Sequence, residues 1–331
     1  MNVELLVDAA EFWERLRIDL AGATDNAYVQ TFSFEGDRVG TSLGRALERC
    51  PARDKRLLVD SYTRLYHNDR LVPGPAWLDR TFRREVLLTR RWVQRLRAGG
   101  TGVRFGNPLW PGMTRILRRN HKKLALVDDR VVYLGGINFS DHNFDWHDMM
   151  FRVEDPALGR LLAADFRASW AGTPRSMDVT VGTLRILSLN GWGNAHRLEP
   201  VVSLIQGATR SVDVVSAYLS HPFTRHLADA RRRGVRVRVL TPARNNKSNL
   251  ARHVIHQGHR RGLEVFKYAG GMSHMKAMLV DDTTLVAGSS NFDSMSYHIL
   301  EELVFITRDP RFVEPFRTRV WDVDLAAARR V

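Results

Sequence analysis

The sequence holds one cysteine in 331 residues, Cys50. A lone thiol excludes an internal disulfide and any multi-cysteine zinc site, and it suits a reducing compartment. Long apolar runs are missing too: no segment reaches the roughly 18–20 uninterrupted apolar residues of a membrane span. The first eight residues, Met1 to Asp8, lack a basic leading stretch and carry acidic side chains, so they do not read as a signal peptide. Acidic residues are outnumbered, 36 against 50 Lys and Arg, giving a formal charge of +14. That balance attracts anionic partners, nucleic acid or acidic lipid headgroups, although an arginine-rich proteome background also raises it.

What is present is a repeat. His121, Lys123, Asp128, Gly135 and Asn138 recur as His274, Lys276, Asp281, Gly288 and Asn291, every pair 153 positions apart (274−121 and 291−138). The pattern is His-x-Lys-(x4)-Asp-(x6)-Gly-(Gly/Ser)-x-Asn, without a gap. Each copy reads as a buried strand, a tight Asp-Asp turn and a returning strand. Upstream, 26–34 matches 212–219, 55–60 matches 235–240, and 102–105 matches 263–266, all strand-like. The class is therefore α/β: two similar domains, each a mixed sheet flanked by helices, related by a pseudo-twofold axis. The turn-rich stretch 171–174 places the boundary between residues 1–173 and 174–331. The connection from 63 to 101 is longer than its counterpart and reads as a basic amphipathic helix. It is either a domain helix with wet arginines or a membrane-surface element.

Displacing an alcohol from a phosphodiester without a metal requires a nucleophile, an acid for the departing oxygen, and positive charge for the non-bridging oxygens. A neutral imidazole attacks, and a protonated one gives its proton to the leaving group. Histidine titrates near neutrality, so both forms are accessible, and the pair titrates as a unit. Lys123 and Lys276, two residues from their histidines, fall on the same strand face and neutralise the phosphate. Asn138 and Asn291 follow glycines on the returning strand and offer amide donors. Asp128 and Asp281 sit at the hairpin turns, where a structural or supporting role fits better than a catalytic one. Each histidine needs a partner that orients it. Asp148 follows His121 by 27 residues and Glu302 follows His274 by 28, with Glu301 as a substitute for Glu302. The other histidines, among them His67, His142 and His147, show no repeat and read as surface or structural.

These residues resemble the two active-site motifs of the phospholipase D superfamily. Within it the chain is similar to bacterial cardiolipin synthases of the short type, also through 31–37, Trp146-His147-Asp148, 233–237 and 288–293. The resemblance implies metal-independent, cofactor-free phosphatidyl transfer through a phosphohistidine, with His121 as nucleophile and His274 as acid and base. It departs at Met295 and Leu300, where cardiolipin synthases often carry Arg and Asn, which bears on acceptor choice. The expected partner is an anionic, phosphatidylglycerol-like membrane surface, met by a cytoplasmic, peripheral monomer. The segment 107–119, mixing apolar and cationic residues before His121, reads as a lip at that interface or a loop packed on its own domain. A nuclease is the alternative, since the superfamily also cleaves nucleic acid. No separate nucleic-acid motif or regular aromatic platform supports it.

Overall fold

Valine-rich strands alternate with helices, some of them capped by aspartate (Asp37, Asp79, Asp155, Asp309), and this alternation sets the architecture. The computed structural model describes residues 1–72, 74–108 and 117–331. The chain begins with β1 (Asn2–Val7), α1 (Asp8–Ala21), β2 (Asn26–Thr31), α2 (Arg38–Arg49) and β3 (Asp54–Asp60). A small hairpin, β4 (Tyr66–His67) and β5 (Arg70–Leu71), precedes α3 (Arg80–Ala98) and β6 (Gly102–Gly106). The first motif occupies β7 (Leu124–Val127) and β8 (Val131–Gly135), followed by α4 (Asp141–Phe144), β9 (Met149–Glu154) and α5 (Pro156–Ala171).

The chain then passes to β10 (Met177–Val181), β11 (Leu184–Ser188), α6 (Asn194–Arg197), α7 (Glu199–Gly207) and β12 (Ser211–Ser216). Next come α8 (Phe223–Arg232), β13 (Arg236–Pro242), α9 (Ser248–Arg260) and β14 (Glu264–Tyr268). The second motif occupies β15 (Lys276–Val280) and β16 (Thr284–Gly288). The chain ends with α10 (Ser294–His298), β17 (Leu303–Thr307), α11 (Pro310–Phe316), α12 (Asp322–Ala326) and β18 (Ala328–Arg330).

Among the described residues the strands form two large mixed sheets and the two-stranded hairpin. The order β9-β8-β7-β2-β3-β6 in one sheet repeats as β17-β16-β15-β12-β13-β14 in the other. The first sheet adds β1 beside β9; the second adds β10 and β11 at one edge and β18 at the other. The sheets share a core between them. Leu126, Phe151 and Phe166 meet Leu279, Phe305 and Phe312 there, with Phe151 edge-on to Phe305 at 5.4 Å. Outer helices cover the opposite faces, α1 to α3 on the first sheet and α7 to α9 on the second.

Contacts between the halves are reciprocal, as a pseudo-twofold requires. A bridge joins Asn120 to Glu301, and its counterpart joins His147 to Ser273. His121 N donates to the Glu301 carbonyl (2.9 Å) and His274 N to the His147 carbonyl (2.7 Å).

Helix α3 is a domain helix. Its apolar stripe, including Phe82, Val86, Trp92, Val93 and Leu96, is buried within the protein, and that face is unavailable to a membrane. Of the lip expected over 107–119, residues 109–116 lie outside the described residues.

Candidate active site

The sheet order brings the ends of β7 and β15 to one cleft of about 300 Å³, lined by His121, Asn138, His274 and Asn291. A larger hollow of about 1060 Å³, lined by Asp178, Arg185 and Arg308 among others, contains none of the motif residues. His121 and Lys123 lie just before β7, while Lys276 opens β15, so the pairs do not share a regular strand face as the spacing suggests. They are tied through the backbone instead: Lys123 Nζ donates to the His121 carbonyl (2.7 Å), and Lys276 Nζ donates to the His274 carbonyl.

The orienting carboxylates are exchanged between halves. His121 Nδ1 lies 3.0 Å from Glu302 Oε1, and His274 Nδ1 lies 2.8 Å from Asp148 Oδ2. With Nδ1 committed, Nε2 of each ring is the nitrogen left for chemistry. Glu302 is itself held by Ser289 and Ser296, the latter Oγ donating to Oε1 at 2.8 Å. Glu301 does not substitute for it; its carboxylate accepts from Asn107 Nδ2 (2.9 Å) and its carbonyl from His121 N.

The variable position after the motif glycine now has a reason. In the second copy it is Ser289, whose hydroxyl holds Glu302. In the first it is Gly136, where a Cβ would lie 2.3 Å from Asp148 Oδ1. The first copy thus needs no side chain where the second needs a hydroxyl.

Both imidazoles and both ammonium groups are buried, and this governs their charge. Burial pulls His274 down to about 3, reinforced by the Lys276 ammonium, against the opposing bond to Asp148. Burial likewise lowers His121, with Glu302 opposing. Burial takes Lys276 down to about 8 against the nearby carboxylates Asp148 and Glu302, and takes Lys123 well below its ordinary value, with Lys276 adding to the fall. Asp148 stays below the ordinary carboxylate range because Lys276 and His274 outweigh its burial. Because the Lys276 ammonium lowers Lys123, an anion entering the cleft relieves the repulsion between the lysines.

Asn138 lies beyond β8 rather than on it. Its Oδ1 accepts from Phe32 N (3.3 Å) and its Nδ2 reaches Asn143 Oδ1 (3.3 Å). Asn291, also beyond its strand, lines the cleft. Asp128 and Asp281 touch neither histidine. Asp128 Oδ1 accepts from the backbone N–H of Thr24, Asp25 and Asn26, and Asp281 Oδ1 from Thr209, Arg210 and Ser211. Each thereby fastens its hairpin turn to the start of the neighbouring strand, β2 or β12.

The repeat does not announce the aromatic wall. Phe32 lies edge-on to His121 (5.3 Å), and Trp146 packs against His274 (5.0 Å). Phe32, Tyr62 and Tyr66 form a stack lining the cleft, at 5.2 and 4.4 Å. The sequence shows no regular aromatic spacing because Phe32 follows β2, whereas Tyr62 lies in a single helical turn after β3 and Tyr66 on β4. Arg119 is also a cleft residue, salt-bridged to buried Asp60 (3.2 Å). Of the histidines read as surface or structural, His142 lines the cleft. His147 is structural, held between Asp8 (2.6 Å) and Asp324 (3.0 Å).

A family model described as cardiolipin synthase, PLD-like domain, matches residues 16–170 and 201–322. Cardiolipin synthase A of Pseudomonas entomophila (strain L48) is 26% identical over 337 residues, covering 95% of this chain and 66% of that protein. The chain thus spans about two thirds of that relative's length. Cardiolipin synthase B of Shigella flexneri is 24% identical over 357 residues, covering 100% of this chain and 82% of the relative. The fold is shared with a phosphatidylserine synthase of Haemophilus influenzae Rd KW20, at TM-score 0.74 and 13% identity, over 99% of this chain and 87% of that one. The family match covers most of the chain and includes both histidine motifs: this protein belongs to the cardiolipin synthase, PLD-like domain family.

Proposed function

We propose that the chain is a phosphatidyltransferase or phospholipase D-type enzyme acting on phospholipid phosphodiesters through a phosphohistidine. The observation that carries this reading is the pair of buried histidines in one cleft, each backed by a carboxylate from the opposite half. In the first step His121 Nε2 attacks phosphorus. The bond to the leaving alcohol breaks as that oxygen takes a proton from His274. In the second, His274 removes a proton from water or an alcohol whose oxygen attacks phosphorus, and the bond to His121 breaks. The resemblance of the first motif supports His121 as the nucleophile.

The anionic diester raises His274 toward the protonated form that an acid needs. Lys123 and Lys276 stabilise the five-coordinate phosphorus, with Asn138 and Asn291 beside the same oxygens. Met295 and Leu300 line the cleft and bear on which acceptor enters.

The relatedness to cardiolipin synthases A and B favours phospholipid as substrate. An anionic, phosphatidylglycerol-like surface on the cytoplasmic side of the membrane fits the charge of +14. Trp192, 70% exposed and 5.0 Å from the Arg118 guanidinium, suits contact with such a surface. Among the described residues no helix is long and apolar enough to cross a membrane, so contact from the side is the mode proposed. One chain carries both motifs, so a monomer suffices.

The second reading is a nuclease, favoured by the aromatic stack, since bases pack on such rings. Incubation without added metal on phosphatidylglycerol vesicles and on single-stranded DNA separates the two, with His121→Ala as control. Lipid turnover abolished by the substitution supports the proposal, and cleavage of DNA alone contradicts it.

A further inference from the structure

Beside the cleft, a second cluster of chemistry-bearing side chains takes no part in the mechanism. Glu35, in the loop between β2 and α2, His67 on β4 and Glu85 on α3 each place one ligand atom within 4.8 Å of the others. Glu35 and His67 are each only 3% exposed. His67 Nδ1 and Glu85 Oε1 are buried without a hydrogen-bond partner among the described residues. Close packing enforces the meeting: a Cβ on Gly36 would lie 2.3 Å from Thr89 N, so α3 rests directly on the Glu35–Gly36 segment.

We propose that Glu35, His67 and Glu85 form a binding site for one divalent cation of the zinc class, separate from the catalytic histidines. One imidazole with two carboxylates is a donor set that suits zinc, and three protein ligands leave a position for water. Two carboxylates also balance a doubly charged ion. The site brings the carboxyls of Glu35 and Glu85 together, an arrangement that a doubly charged ion between them stabilises. Ligands about 2.0–2.2 Å from a tetrahedral ion lie about 3.4 Å apart, so the ion draws these side chains together. The Arg90 guanidinium beside His67 opposes the ion, while Asp37 and Asp69 favour it.

The site would fix the rim of the cleft. Glu35 Oε1 already accepts from Asn68 N (3.1 Å), at the tip of the β4–β5 hairpin. Asp69, the next residue, accepts from Asn246 Nδ2 in the opposite half (3.0 Å). Tyr66 and Asp69 line the cleft. A cation at Glu35, His67 and Glu85 therefore anchors the hairpin that spans the two halves over the catalytic site.

The test is zinc stoichiometry by elemental mass spectrometry on the untagged full chain, after equilibration with zinc and removal of the excess, paired with thermal unfolding. The proposal expects one zinc in the wild type and in His121→Ala and His274→Ala. It expects loss of that zinc, and of its thermal stabilisation, in Glu85→Gln and in His67→Gln. Glu85 is only half-buried, so Glu85→Gln tests the site where His67→Gln fails to fold. A wild type that retains no zinc overturns the proposal. So does a Glu85→Gln variant that keeps it, or a zinc lost with His121 or His274, which places the ion on the catalytic imidazoles.

Discussion

His121 is oriented by Glu302, a residue 181 positions away in the other half of the chain, with Nδ1 and Oε1 3.0 Å apart. The reciprocal pair, His274 and Asp148, closes at 2.8 Å. Each carboxylate fixes one tautomer and stabilises the imidazolium that forms during turnover. Glu302→Gln and Asp148→Asn should each lower kcat by about two to four orders of magnitude with little change in KM. Steady-state kinetics on phospholipid vesicles checks this. A fall in affinity alone contradicts an orienting role.

Gly136 and Ser289 occupy equivalent positions with opposite requirements. Gly136→Ala puts a methyl group where Asp148 stands, so its effect on kcat should approach that of Asp148→Asn. Ser289→Ala removes a donor from buried Glu302, which costs about 1–3 kcal/mol of stability and leaves Glu302 in place beside His121. Chemical denaturation beside kinetics separates the two. An active Gly136→Ala enzyme shows that the position of Asp148 is not critical.

The hairpin aspartates have a stability role with no chemistry. Asp128→Ala or Asp281→Ala leaves three backbone donors without their acceptor and should lower unfolding free energy by about 1–3 kcal/mol. Turnover per folded molecule should stay within a few fold of wild type. A fall to the level of His121→Ala, in protein shown to be folded, contradicts this.

Stability should depend on pH from two directions. Burial lowers His147, but its bonds to Asp324 and Asp8 prevail and raise it to about 10. Its contribution is complete below about 6.5, the unfolded value, and is lost as pH rises toward 10. His274 has the opposite sign: folded near 3, it takes up a proton on unfolding. The His274 contribution to stability therefore falls as pH drops from about 6.5 toward 3. Thermal midpoints across pH check both, and His147→Gln should flatten the alkaline limb while leaving the acid limb in place.

The repeat carried most of the fold into view: a constant offset of 153 over 121–138 forces equal hairpins, and looser matches upstream supply the remaining strands of each half. Strands β9 and β17 pass unnoticed in that pattern, though Asp155-Pro156 and Asp309-Pro310, capping the helices after them, repeat as well. The exchange of Asp148 and Glu302 is not legible: intervals of 27 and 28 residues suit a partner in the same half, and only the reciprocal packing of the halves crosses them. The Phe32, Tyr62 and Tyr66 stack and the Glu35, His67 and Glu85 cluster are hidden for a similar reason. Each gathers side chains from several elements, and no periodicity links them.

The most direct test of the account is the covalent intermediate itself. Wild-type protein mixed with phosphatidylglycerol vesicles, quenched in denaturant at alkaline pH and mapped by mass spectrometry, should carry a phosphatidyl group on His121. That adduct should be absent from His121→Ala. Lipid turnover at full rate with no histidine adduct at any time after mixing, or an adduct confined to His274, would contradict the proposed roles.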